Sequence, residues 1–218
     1  MKELNFYFDF LSPFSYFAWL KLAPLAQDLN LKVNLKPVAL GPLLNHWQIK
    51  GPGEVEPKRE FLLKQMLRYA DTNGIPFTTP KTHPFNSLYA LRFSLKGVAG
   101  EMQEKVIETF WKAGWQKRID MGEPDELLKE LREAGLPADE LYEKSFSREA
   151  KAELKSNIQE AINKGVFGVP SFVIDDELFW GADSMEQLKN FVLGKDNLDR
   201  EKLKLILSST PRAAAQSL

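Results

Sequence analysis

Residues 4–16 read LNFYFDFLSPFSY, and this stretch indicates how the N-terminal part of the chain folds. Aromatic and aliphatic side chains alternate with Asn5 and Asp9, which predicts a strand that is buried on at least one face. Ser12 followed by Pro13 is typical of a helix start, because serine can accept a hydrogen bond from an orphan backbone N–H and proline has none to satisfy.

The residues that follow predict a βαβ unit. The helix is expected from Pro13 towards Leu29, and a second alternating stretch over residues 32–38 predicts another strand. Two strands joined by a helical crossover are parallel. Residues 41–57 contain several Pro and Gly and are expected to form a long loop.

The middle of the chain is predicted to be helical and its end to return to strands. Residues 166–174 have strand character with Pro170 inside, Asp175-Asp176 forms a turn, and residues 178–180 form a partner strand. Helices are expected over residues 60–73, 86–96, 101–113, 125–134, 147–164, 184–193 and 201–207.

This order predicts an α/β fold with a thioredoxin-like core and a large all-helical insertion. The core would consist of residues 1–55 and 164–207, with the inserted helical domain over 56–163. Residues 208–218 are rich in Ala and Ser and are expected to form a flexible tail.

Composition excludes several classes of function. The chain has 218 residues, 44% of them hydrophobic and 27% charged, as in ordinary globular proteins. With 29 Lys and Arg against 30 Asp and Glu, it lacks the basic excess of a general nucleic-acid binder. The absence of Cys excludes disulfides, iron–sulfur clusters and thiol–disulfide exchange by the protein itself, and with 2 His no metal site is expected. No signal peptide or membrane span is visible, so a cytoplasmic protein without membrane partners is expected.

The first candidate site is Ser12-Pro13-Phe14-Ser15, which lies where a thioredoxin-type fold carries its C-x-x-C motif. A helix N-terminus presents free N–H groups and a partial positive charge, and therefore stabilises an anion. The Ser12 hydroxyl can donate a hydrogen bond to a thiolate that a ligand carries. The alternative is that Ser12 only caps the helix.

The second candidate site is Gly168-Val169-Pro170. Proline removes a ladder donor, and X-Pro is the bond at which a cis peptide is least costly, so we predict a structural cis-Pro at Pro170. The Val169 backbone would then pair with an extended, peptide-like ligand. The alternative is an ordinary strand start after a loop.

Three segments carry a family resemblance: residues 6–16 (FYFDFLSPFSY), 165–170 (GVFGVP) and 179–183 (FWGAD). They resemble motifs of the 2-hydroxychromene-2-carboxylate isomerases, which are related to kappa-class glutathione transferases and DsbA-like proteins. The resemblance covers nearly the whole chain except its C-terminal end. The motifs are shared by isomerase and transferase, so they identify the ligand better than the reaction.

The resemblance implies glutathione as the cofactor and a homodimer as the assembly. Ser12 would be the catalytic residue that contacts the glutathione sulfur, and the Val169 backbone would pair with the cysteinyl part. The γ-glutamyl end would be held by Ala182, Asp183 and Ser184, with Trp180 of the same motif completing the set. Without the resemblance, Asp183 or Ser184 is most simply a helix cap.

The resemblance also implies a basic residue before the first helix of the insertion. Lys58 is the candidate, with Arg59 as the second choice; the alternative is a solvated charge at a helix start. A pocket for a flat aromatic carboxylate substrate would include His46 and Trp47, with Phe14 and Asn86. His46 could equally be a loop residue that is hydrogen-bonded to the backbone, and no role is assigned to His83.

Three functions remain open at this point. The first is a glutathione-dependent isomerase that interconverts 2-hydroxychromene-2-carboxylate and trans-o-hydroxybenzylidenepyruvate through reversible thiolate addition. The second is a kappa-like glutathione transferase or peroxidase that uses the same site. The third is a non-catalytic thioredoxin-fold module that binds a peptide at Val169 and Pro170.

Overall fold

The centre of the molecule is a mixed four-stranded sheet. The computed structural model describes residues 1–209, and the strands are β1 (Lys2–Phe8), β2 (Leu31–Pro37), β3 (Ser171–Ile174) and β4 (Glu177–Trp180). Their order is β2-β1-β3-β4; β1 and β2 are parallel, and the other two neighbouring pairs are antiparallel. The expected parallel pair and the hairpin with its turn at Asp175 and Asp176 are therefore confirmed.

One helix connects β1 to β2, two helices follow β4, and the remaining helices lie in the long segment between β2 and β3. Their bounds are α1 (Pro13–Asp28), α2 (Leu40–Trp47), α3 (Glu56–Thr72), α4 (Leu88–Phe93), α5 (Lys96–Ala99), α6 (Gln103–Trp115), α7 (Pro124–Glu133), α8 (Ala138–Ser145), α9 (Arg148–Asn163), α10 (Met185–Val192) and α11 (Arg200–Ser209). Short 3-10 turns lie at Pro52–Glu54, Gly100–Met102 and Ala182–Ser184. The predicted α/β fold, a thioredoxin-like core with a helical insertion, is confirmed.

The prediction of a long loop over residues 41–57 is wrong, because helix α2 occupies the first part of this segment. Leu40, Leu43 and Trp47 recur at helical spacing, and Leu43 is fully buried. Pro42 lies in the first turn, where a missing N–H costs nothing. The first N–H of the helix, on Leu40, donates to the Asp9 carboxylate at 2.8 Å, a partner that no local pattern indicates.

Other elements also differ from the prediction. Helix α8 lies where no helix is expected, and the helix expected over residues 86–96 is divided into α4 and the separate α5. Strand β3 begins only at Ser171, so residues 166–170 form a loop that leads into the sheet. Helix α11 continues through Ser208 and Ser209, the first two residues of the expected tail, whereas residues 210–218 lie outside the described residues.

The insertion and the sheet share one hydrophobic core. Phe8 and Phe10, at the end of β1, pack against Trp111 of α6 with ring centroids 5.8 and 4.5 Å apart. The Trp115 indole N–H donates to the Phe10 carbonyl at 3.0 Å. The end of β1, from which the chain enters α1, is thereby held by the insertion.

None of the helices within residues 1–209 combines the length and the hydropathy needed to cross a bilayer.

Candidate active site

Ser12 is the N-cap of α1. Its backbone is extended, with φ −95° and ψ 112°, and its Oγ accepts a hydrogen bond from the Ser15 N–H at 3.2 Å. Pro13 follows as the first helical residue. The sequence folds this way locally because the serine oxygen satisfies one of the free N–H groups of the first turn.

Val169 and Pro170 form the loop that faces Ser12. The Val169–Pro170 peptide bond is cis, in agreement with the expectation for Pro170. The Ser171 hydroxyl donates to the Gly168 carbonyl at 2.7 Å, and the Gly181 N–H donates to the Pro170 carbonyl at 2.9 Å. The carbonyls of Gly168 and Pro170, on either side of Val169, therefore both accept hydrogen bonds from the β3–β4 hairpin and the residue after it.

The two motifs meet at one contact between residues 157 positions apart. The Ser12 hydroxyl donates to the Val169 carbonyl oxygen at 3.3 Å. Ser12 is 7% exposed and Val169 8% exposed, so the pair lies just beneath the surface. A hydroxyl donor and a backbone carbonyl acceptor, beside a helix N-terminus, can together hold a small ligand that offers one acceptor and one N–H.

Two side chains of the insertion hold the residues immediately before Ser12. Trp115 donates to the Phe10 carbonyl, as described above. His83 Nε2 lies 2.9 Å from the Leu11 carbonyl oxygen. The His83 ring also packs edge-on against Trp115, with ring centroids 5.7 Å apart. Consecutive carbonyls of the β1–α1 connection are thus hydrogen-bonded by the insertion.

Asp9 is a fully buried carboxyl group at the end of β1. It accepts from the Leu11 N–H at 3.1 Å and from the Leu40 N–H at 2.8 Å. Burial raises the pKa of Asp9 from 3.8 to about 6, and the hydrogen bonds from Leu40 and Leu11 oppose that rise. Asp9 therefore joins the Ser12 loop to the start of α2.

The segment after β4 carries Ala182, Asp183 and Ser184 in a 3-10 turn that leads into α10. The Ser184 hydroxyl donates to the Gly181 carbonyl at 2.8 Å, so it stabilises this turn locally. Ala182 and Asp183 line a cavity of about 300 Å³ between α1 and α10, together with Lys21, Leu25, Asp28, Met185, Glu186 and Lys189. Ser12 and Val169 are not part of that lining.

Trp180 ends β4 on the surface, next to the loop that carries Val169. Its side chain is packed so closely over Gly168 that a Cβ there would lie 2.8 Å from the indole nitrogen. Its ring lies 5.1 Å from that of Phe167, and the two rings form an exposed aromatic pair. A larger residue at position 168 would require the exposed Trp180 side chain to shift.

Lys58 lies in the first turn of α3 and is exposed, as is Arg59. Within residues 1–209, neither side chain is paired with a carboxylate. The structure brings neither of them into hydrogen-bond contact with Ser12 or Val169.

The predicted pocket residues do not form one cluster of direct contacts. His46 and Trp47 were expected in a loop, but they form the last turn of α2 and pack edge-on at 4.8 Å. The Trp47 indole N–H donates to the Val166 carbonyl at 2.9 Å, which attaches α2 to the Val169 loop. Phe14 packs partly buried against the main core. The Asn86 Oδ1 accepts from the N–H of Leu88, the first residue of α4, at 3.2 Å.

Sequence reasoning gave no role to two residues that contact the Ser12 loop. Asp9 carried a signal, because a carboxylate in an otherwise apolar strand end needs buried donors. His83 carried a weaker one, as a histidine among prolines and aromatic residues. No local pattern indicates that Asp9 also accepts from the Leu40 N–H, 31 residues away, or that His83 contacts the Leu11 carbonyl, 72 residues away.

Comparisons with known proteins agree with this fold. The family model of the DSBA-like thioredoxin domain matches residues 3–192. Two relatives named 2-hydroxychromene-2-carboxylate isomerase are similar: that of Sphingobium xenophagum is 29% identical (88% of this chain, 98% of the relative), and that of Pseudomonas putida is 31% identical (86% and 92%). Glutathione S-transferase kappa 2 of Caenorhabditis elegans is 28% identical over 88% of this chain and 92% of its own. The solved structure of a 2-hydroxychromene-2-carboxylate isomerase superimposes with a TM-score of 0.79 at 26% identity, covering 93% of this chain and 98% of the other.

Proposed function

The chain belongs to the DsbA-like thioredoxin family and, within it, to the 2-hydroxychromene-2-carboxylate isomerases, and from that premise we propose that it is a glutathione-dependent cis–trans isomerase. Its substrate would be an aromatic-degradation intermediate of the 2-hydroxychromene-2-carboxylate type. When bound, glutathione supplies a thiol that adds reversibly to a conjugated carbon, so that a double bond can rotate.

One observation carries the glutathione proposal: the Ser12 hydroxyl and the Val169 carbonyl are hydrogen-bonded to each other. A cysteinyl residue offers a sulfur acceptor and a backbone N–H donor, which are the complements of these two groups. Ser12 Oγ would turn to the sulfur, and the Val169 carbonyl would accept the ligand N–H in its place. Each buried group keeps a partner, so the exchange leaves none unsatisfied.

The environment of Ser12 favours a bound anion. The first turn of α1 carries the positive end of the helix dipole, and no acidic side chain lies in that turn. The chain has no Cys, so the reactive sulfur must come from the ligand. The Ser12 hydroxyl, donating to that sulfur, would lower the pKa of the thiol.

The remaining glutathione contacts are proposed on charge and position. The γ-glutamyl end carries an ammonium and a carboxylate, and the cavity beside Ala182 and Asp183 contains side chains of both signs, including Lys21 and Lys189. Asp183 would pair with the ammonium, and the N-terminal end of α10 after Ser184 would accept the carboxylate. Trp180 would pack along the ligand, and Lys58 would reach it from α3.

The substrate and the setting are also proposals. An aromatic carboxylate would lie against Phe14, His46, Trp47 and Asn86. The near balance of 29 basic and 30 acidic side chains argues against a nucleic-acid partner. We propose a small-molecule substrate and no membrane partner. We propose that it acts in the cytoplasm as a homodimer.

A second candidate reaction is supported by the kappa-class relatives, whose identity to this chain is similar to that of the isomerases. A kappa-like transferase or peroxidase would use Ser12 and Val169 in the same way towards other electrophiles. Turnover of chlorodinitrobenzene, a hydroperoxide and the chromene acid by one preparation compares the two reactions directly.

The experiment that tests the proposal is a glutathione requirement. The purified protein should convert the chromene acid only when glutathione is present. S-methylglutathione, which has no free thiol, should bind in calorimetry but support no turnover. An isomerase rate that is the same without glutathione would contradict the proposal, and so would the absence of heat with both ligands.

A further inference from the structure

His83 is an exposed imidazole that the fold holds against the Ser12 loop. It belongs to the segment before α4, yet its Nε2 lies 2.9 Å from the Leu11 carbonyl oxygen, one residue before Ser12. Edge-on packing against Trp115 and Phe85, with ring centroids at 5.7 and 6.3 Å, fixes the plane of the ring. Nothing in the glutathione proposal uses this side chain.

The contact also determines the roles of the two ring nitrogens. A backbone carbonyl only accepts, so Nε2 must carry the proton in this hydrogen bond. In the neutral ring Nδ1 is then the acceptor, and within residues 1–209 the His83 side chain makes no hydrogen bond other than the one to Leu11. Because the residue is exposed, Nδ1 can exchange a proton without breaking the bond that positions the ring.

The proposed reaction requires a proton to move between two substrate oxygens. The cyclic acid has a hydroxyl on carbon 2, and its ring oxygen joins carbon 2 to the aromatic ring. On opening, the bond from carbon 2 to the ring oxygen breaks and its electron pair goes to that oxygen. The hydroxyl on carbon 2 loses its proton as the ketone forms, and the ring oxygen gains a proton to become the phenol.

We propose that His83 carries this proton, taking it at Nδ1 from the hydroxyl on carbon 2 and returning it to the ring oxygen. The cycle restores the neutral ring and needs no oxidant, reductant or further reactant. The inference rests on the proposed isomerase function and assigns to it a second catalytic residue beside Ser12.

The other polar groups around Ser12 are less suited to this transfer. The Asp9 carboxyl is fully buried and accepts hydrogen bonds from Leu11 and Leu40. The Ser12 hydroxyl is needed at the sulfur. His46 lies on α2, where its ring packs edge-on against Trp47. His83 is the imidazole that is attached to the Ser12 loop itself.

Two variants separate proton transfer from support of the loop. In His83→Gln the side-chain amide can still donate to the Leu11 carbonyl but cannot exchange a proton near neutrality. In His83→Ala both functions are removed, and space is left for added imidazole. We expect each variant to lose about 100-fold in kcat, the lower range for general acid–base catalysis, with glutathione affinity within about twofold of wild type. Imidazole should restore His83→Ala in a concentration-dependent way and leave His83→Gln unchanged.

The control and the contrary outcomes are defined by the same assays. Lys81→Gln, an exposed exchange in the same loop, should keep the wild-type rate. A wild-type kcat in His83→Gln would overturn the inference, because the hydrogen bond to the Leu11 carbonyl would then be enough for full activity without proton transfer at position 83. Loss of activity in His83→Ala without rescue by imidazole would overturn it as well. A wild-type protein that needs no glutathione would instead contradict the proposed function, whatever the His83 variants do.

Discussion

At the scale of single residues, Ser12 combines a structural and a chemical task. Its oxygen accepts from the Ser15 N–H, while its proton is directed to the Val169 carbonyl at 3.3 Å. A cap needs only the oxygen lone pair, so the proton remains available for a ligand. A serine can therefore keep α1 capped and contact a sulfur at the same time.

Ser12→Ala should impair thiol activation more than it impairs folding. A hydrogen bond to a charged group contributes about 1.5–3 kcal/mol, so the pKa of the bound glutathione thiol should rise by about 1 to 2. Titration of thiolate absorbance in the complex measures this change. Loss of the cap should lower the free energy of unfolding by about 1 kcal/mol.

Ser147→Ala is the matched control, because Ser147 caps α9 by accepting from the Ala150 N–H at 3.0 Å. It should lose similar stability and leave the thiol pKa unchanged. An equal thiol pKa in Ser12→Ala and wild type would remove Ser12 from the proposed chemistry.

Asp9→Asn should change how stability depends on pH. Burial raises the pKa of Asp9 from 3.8 to about 6 in the folded state. Below pH 3.8 the carboxyl is protonated in both states and carries no penalty. Between pH 3.8 and pH 6 the Asp9 carboxyl loses its proton in the unfolded chain but keeps it in the folded one. The free energy of unfolding of the wild type therefore falls by about 3 kcal/mol relative to that of Asp9→Asn, because Asn does not titrate.

Urea unfolding at pH 4, 6 and 8 measures this difference. The stability of wild type minus that of Asp9→Asn should fall over this range. Asp71→Asn, an exposed exchange on α3, reports the same chemical change without burial. A wild-type advantage that grows with pH would mean that the hydrogen bonds from Leu40 and Leu11 outweigh burial.

At the scale of elements, α2 links the two halves of the candidate site. Its first N–H, on Leu40, donates to Asp9 below the Ser12 loop, and its last residue, Trp47, donates to Val166 in the loop that carries Val169. Leu43, between them, is buried in the same cluster as Val166 and Val169. This short helix therefore sets the position of the Val169 loop relative to Ser12.

Trp47→Phe should loosen that connection, because it keeps a ring but removes the indole donor to Val166. A neutral hydrogen bond contributes about 1 kcal/mol, so stability should fall by about that amount and the glutathione Kd should rise by up to about fivefold. Calorimetry with S-methylglutathione measures the Kd. Trp19→Phe is the matched exchange, since within residues 1–209 the Trp19 indole makes no hydrogen bond; an equal Kd in Trp47→Phe and Trp19→Phe would contradict this role of α2.

At the scale of the whole molecule, the insertion is part of the structure that holds the site. Trp111 of α6 packs on Phe10, and Glu160 of α9 accepts from the Tyr7 hydroxyl at 2.7 Å and pairs with Lys36 at 2.8 Å. Both parallel strands are thereby bonded to the last helix of the insertion. The site and the insertion are expected to form and unfold together.

Denaturation should therefore give one cooperative transition. Far-UV circular dichroism follows all helices, whereas tryptophan fluorescence is weighted towards the buried Trp111 and Trp115 of α6. Because these side chains share their core with β1, the two signals should give coincident midpoints in urea. Separate midpoints would mean that the insertion folds independently of the sheet.

The sequence alone determined the features that depend on neighbours along the chain. The start of α1 at Ser12 and Pro13 and the turn at Asp175 and Asp176 follow from the conformations that these residues favour. The alternation of β1 likewise indicated which of its side chains are buried. Family motifs then brought together the two segments that hold Ser12 and Val169.

The contacts that close the site depend on how distant parts of the chain pack together. The Pro and Gly residues of positions 41–57 predict a loop, whereas helix α2 forms there with its first N–H donating to Asp9, 31 residues earlier in the chain. The bond from His83 to Leu11 spans 72 residues, and the one from Trp115 to Phe10 spans 105. Such pairs form only once the core has packed. Packing removes distant backbone groups from water, and each buried group then needs a hydrogen-bond partner. Spacing along the chain does not indicate which residue that partner is.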